Sequence, residues 1–92
     1  MGYAKKRAEG KTSSEIYAEI RKAVLERSLE TGKRWGVTVH GIPTAEVSTR
    51  GAKELIIWLE EHVTPAERSF IYFYNILTED VLSVEEMKKN HT

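Results

Sequence analysis

Thr64-Pro65-Ala66-Glu67-Arg68-Ser69-Phe70-Ile71-Tyr72-Phe73-Tyr74-Asn75-Ile76-Leu77 is the stretch on which the fold turns. Its first residues spell a helix start. Thr64 suits the N-cap, Pro65 the first helical position, and Glu67 completes a capping box. Wound as a helix, the remainder is apolar in every direction, the pattern of a buried helix. Yet Phe70 to Tyr74 is aromatic and β-branched, so a strand competes. The cap is specific and the apolar run ambiguous, which predicts a third helix over 65–77.

The neighbouring segments frame this element. Ser48 or Thr49 caps a second helix over 49–63, with Ala52, Leu55, Ile56, Leu59 and Val63 as its main stripe. Ile57 and Trp58 lie outside that stripe. Downstream, Thr78-Glu79-Asp80 reads as a turn, and Ser83-Val84-Glu85-Glu86 caps a short last helix over 83–89. Upstream, Val37-Thr38-Val39-His40 reads as a short strand, broken by Gly41-Ile42-Pro43-Thr44. Ala45-Glu46-Val47 offers a return, so residues 36–47 are expected to form a hairpin or an extended excursion.

The first helix is predicted over 13–31. Thr12 and Glu15 have capping-box spacing, and Thr31-Gly32 supplies a stop. Lys33 and Arg34 then sit favourably near the carbonyl end of the helix dipole. Ile16, Tyr17, Ile20, Ala23 and Val24 form one stripe, while Ala18, Leu25 and Leu29 fall on the other side. Residues 1–12, with two glycines and four bases, read as a flexible basic arm. The expected organisation is thus an arm at 1–12 and one small domain at 13–92. Its class is mainly α, at the margin of α+β, with four helices.

Composition narrows the chemistry. The 92 residues include no cysteine, which excludes disulfides, thiolate metal sites and cysteine nucleophiles. The apolar run Leu55 to Leu59 is far short of a membrane span. Met1-Gly2-Tyr3-Ala4-Lys5-Lys6-Arg7 has no apolar segment behind it and does not resemble a secretory signal. A reducing, cytoplasmic setting is expected.

No catalytic constellation emerges. Gly10-Lys11-Thr12 looks like the end of a phosphate-binding loop, but Lys5 stands where that motif needs glycine. His40, His62 and His91 have no metal-ligand spacing, and no metal or cofactor is expected. His62 suits the end of the second helix. His40 would need a carboxylate, such as Glu46 or Asp80, to act as acid or base. Asn90-His91-Thr92 matches a glycosylation acceptor only by accident, given the expected setting.

The formal net charge of zero conceals an uneven layout. Residues 1–35 hold nine bases and five acids; residues 36–92 hold five bases and nine acids. The leading expectation is a small non-enzymatic regulatory or adaptor protein working by protein–protein contact. More apolar helix faces are expected than one small core uses, so the chain should self-associate as a homodimer. Candidate interface residues are Leu25, Leu29, Ile57, Trp58 and Tyr72. The alternative is a nucleic-acid-binding regulator of transcriptional or phage type, gripping phosphates with Lys5, Lys6, Arg7, Lys11, Arg21 and Lys22. A continuous basic stripe would favour it. Interleaving with Glu19, Glu26 and Glu30 would favour a neutral helix surface.

Overall fold

The computed structural model describes residues 12–91. Of the expected arm at 1–12, only Thr12 falls within them. Thr12 opens the first helix with a reciprocal cap. Its hydroxyl accepts from the Glu15 N–H at 3.2 Å, and the Glu15 carboxylate accepts from the Thr12 N–H at 2.9 Å. Helix α1 runs Ser13–Arg27, four residues shorter than expected. Ser28 explains the early stop: its N–H and its hydroxyl both donate to the Leu25 carbonyl, at 3.1 and 2.7 Å. Glu30 leaves the helix axis and receives the Ser48 hydroxyl at 2.9 Å.

Strands β1, Trp35–Val39, and β2, Ile42–Val47, form the expected hairpin. Its turn is His40-Gly41, with φ of 54° and 78°. Positive φ at both central positions is what a two-residue type I′ turn requires. His40-Gly41 therefore reverses the chain, and strand geometry resumes at Ile42, so Ile42, Pro43 and Thr44 belong to β2 and do not break the strand pairing. Pro43 lies within β2. Val37 pairs with Ala45 but Thr38 with Pro43, so Thr44 is the extra residue of a bulge. Both features are tolerated because β2 is the outermost strand.

Helix α2, Thr49–His62, is capped by Ser48, whose hydroxyl accepts from the Gly51 N–H at 3.0 Å. Helix α3 is a single turn, Pro65–Arg68. Thr64 caps it as expected, but the predicted helix over 65–77 ends there. Ser69 and Phe70 turn the chain, and Ile71–Asn75 becomes strand β3. The reason is visible in the burial pattern. Ile71 and Phe73 are fully buried while Tyr72 and Tyr74 are exposed, a period of two rather than 3.6. Glu67, the supposed second half of the cap, turns its carboxylate toward His40 instead.

A short strand absent from the sequence reading, β4 at Val81–Ser83, pairs with β3. Ser83 then caps helix α4, Val84–His91, in a second reciprocal cap with Glu86 at 2.8 and 3.2 Å. Four helices among the described residues and a four-stranded antiparallel sheet make an α+β domain in which helix dominates. The strand order is β2-β1-β3-β4. Trp35, Val37, Val39, Ile71 and Phe73 turn one face of the sheet toward the helices. There they meet Ile20 and Val24 of α1, Leu55 and Leu59 of α2, and Met87 of α4 in one core. No helix among the described residues is long and apolar enough to cross a membrane.

Candidate functional site: the uncovered face of the sheet

Because side chains alternate along a strand, the residues between the core positions point away from the helices. Register sets them in two rows. One row is Glu46, Gly36, Tyr74 and Val81; the other is Pro43, Thr38, Tyr72 and Ser83. Among the described residues no element covers these rows. They form an open, mostly apolar groove, floored by β1 and walled by Tyr72 and Tyr74.

The groove has a built shape. Gly36 bears no side chain, and a Cβ there would lie 3.8 Å from both Cβ and Cδ2 of Tyr74. The tyrosine thus leans beside the bare backbone of the neighbouring strand, a pairing that compensates glycine in a sheet. The Thr38 hydroxyl donates to the Tyr72 carbonyl at 3.5 Å. Tyr72 and Tyr74 remain 43% and 38% exposed. Glu46 is the one charged residue in the two rows.

The residues anticipated as an interface divide between opposite faces of the domain. Tyr72 lies on the outer sheet face. Ile57 lies on α2 and Leu25 on α1, both exposed, and Leu29 in the following loop is 84% exposed. Trp58 is half-buried beside Glu19, Lys22, Ala23 and Glu26 of α1, with its indole stacked on His62 at 4.8 Å. The His62 Nδ1 meets the Trp58 carbonyl at 3.0 Å. Tyr72 therefore cannot share one contiguous patch with the helix-side residues. Gly36, Thr38, Pro43, Tyr74 and Val81 were missed. Of these, the alternation within 71–75 signals Tyr74; the others join the face only through the register of the paired strands.

Basic side chains among the described residues are interleaved with acids. Lys22 shares its recess with Glu19 and Glu26. Arg27 lies 3.7 Å from Glu26, and Arg50 lies 3.4 Å from Glu54. Lys33 donates to the Ser28 and Glu46 carbonyls, and Arg21 sits over the Tyr17 ring at 5.7 Å. The Glu60 carboxylate beside Lys88 holds that ammonium above the ordinary lysine range by hydrogen bond and charge. Lys5, Lys6, Arg7 and Lys11 lie outside the described residues.

His40 meets a carboxylate, but neither of those anticipated. Its Nε2 is 3.6 Å from Glu67 Oε1, and its ring stacks on Phe70 at 4.6 Å with Tyr17 edge-on at 5.8 Å. Glu46 belongs to the outer sheet face, and Asp80 accepts from the Thr78 hydroxyl at 2.9 Å. The histidine is exposed and links Tyr17 of α1, Glu67 of α3 and Phe70 at the hairpin end of the sheet. Among the described residues no group of three or more His, Asp or Glu side chains is placed to hold a metal ion. The chain matches no protein-family model, no curated protein and no solved structure.

Proposed function

We propose that this chain is a small non-enzymatic regulatory or adaptor protein that acts by protein–protein contact, with a second copy of itself as its partner. One observation carries the reading: a four-stranded antiparallel sheet with helices on one side and two exposed tyrosines on the other. Antiparallel sheets do face water, but then their outer side chains are usually polar. Here Tyr72, Tyr74, Val81 and Pro43 occupy that side. Burying such residues releases about 25 cal/mol per Å² of apolar surface, which favours association.

The interleaved charges of α1 and α2 support protein contact over the nucleic-acid alternative. That alternative rests on Lys5, Lys6, Arg7 and Lys11 with Arg21 and Lys22, and Lys22 is flanked by carboxylates. The absence of cysteine suits a reducing, cytoplasmic place of action. Sedimentation equilibrium from about 10 μM to about 1 mM tests the reading in the range where weak dimers form. The average mass is expected to rise from monomer toward dimer. A monomer mass throughout would refute self-association.

A further inference from the structure

We draw no further inference here: the strongest candidate, the apolar groove on the outer face of the sheet between Gly36, Tyr72 and Tyr74, belongs to the site already described, and nothing in the structure shows what covers it.

Discussion

Gly51 shows how closely the two long helices meet. A Cβ built there would lie 2.8 Å from the carbonyl oxygen of Arg27 and 3.3 Å from the Val47 Cβ. Backbone oxygen cannot swing aside as a side-chain tip can. The start of α2 can cross the end of α1 only because residue 51 has no side chain. The Ser48 hydroxyl sits in the same corner, accepting from the Gly51 N–H and donating to Glu30. Gly51→Ala is expected to destabilise the domain by about 1–3 kcal/mol through overpacking, despite the better helix propensity of alanine. Urea denaturation checks this; a variant as stable as wild type would mean the helices separate freely at this point. Sequence reading narrowed the cap to Ser48 or Thr49 because a cap is local chemistry, and Ser48 takes it. It gave no hint of the contact with Arg27, which exists only once two distant segments cross.

At the scale of elements, the local signals and the hairpin over 36–47 were legible, and the long-range pairings were not. Thr12 with Glu15 and Ser83 with Glu86 both form the reciprocal caps their spacing predicts. Thr64-Pro65 also starts a helix, but one of a single turn. What stops it is tertiary. Val39 pairs with Ile71 and Trp35 with Asn75, so β3 finds its main partner more than thirty residues away. A cap biases a few residues, whereas a central strand satisfies its backbone on both sides and buries Ile71 and Phe73 completely. The apolar run that looked like an all-round helix is a strand with one face in the core and one in the open groove. Much of the candidate site was hidden by that misreading, since Tyr74 and its neighbours share a face only in a strand. The alternation makes a direct prediction. Phe73→Ala should cost about 3–5 kcal/mol as a core truncation. Tyr72→Ala should stay within about 1 kcal/mol in the monomer, as surface substitutions usually do. Equal losses in thermal unfolding at both positions would contradict the two-faced strand.

The described residues form a helix layer on one side of a sheet, with opposite charges distributed through the surface. The nine-to-five excess of bases over acids in residues 1–35 does not survive as a basic stripe among the described residues. Lys22, Arg27 and Arg50 each stand beside a carboxylate. A net count over a segment hides this, because Glu19 and Glu26 flank Lys22 within α1 while other acids reach bases of a distant segment. Glu30 of the first loop, for example, lies 4.0 Å from Arg50 of α2.

Pro43 and the bulge at Thr44 bear on how any assembly of this protein grows. The free border of β2 lacks one N–H at Pro43 and is out of step at Thr44, so an incoming strand finds no regular ladder to extend. The opposite border, β4, is three residues long. Neither border offers a regular ladder for edge-to-edge addition of further strands. Pro43→Val should relax that protection: on prolonged incubation at high concentration, thioflavin T fluorescence is expected to rise in the variant and stay flat in the wild type. A wild-type chain that forms fibres as readily as the variant would show that the proline and its bulge are not what keeps the border closed.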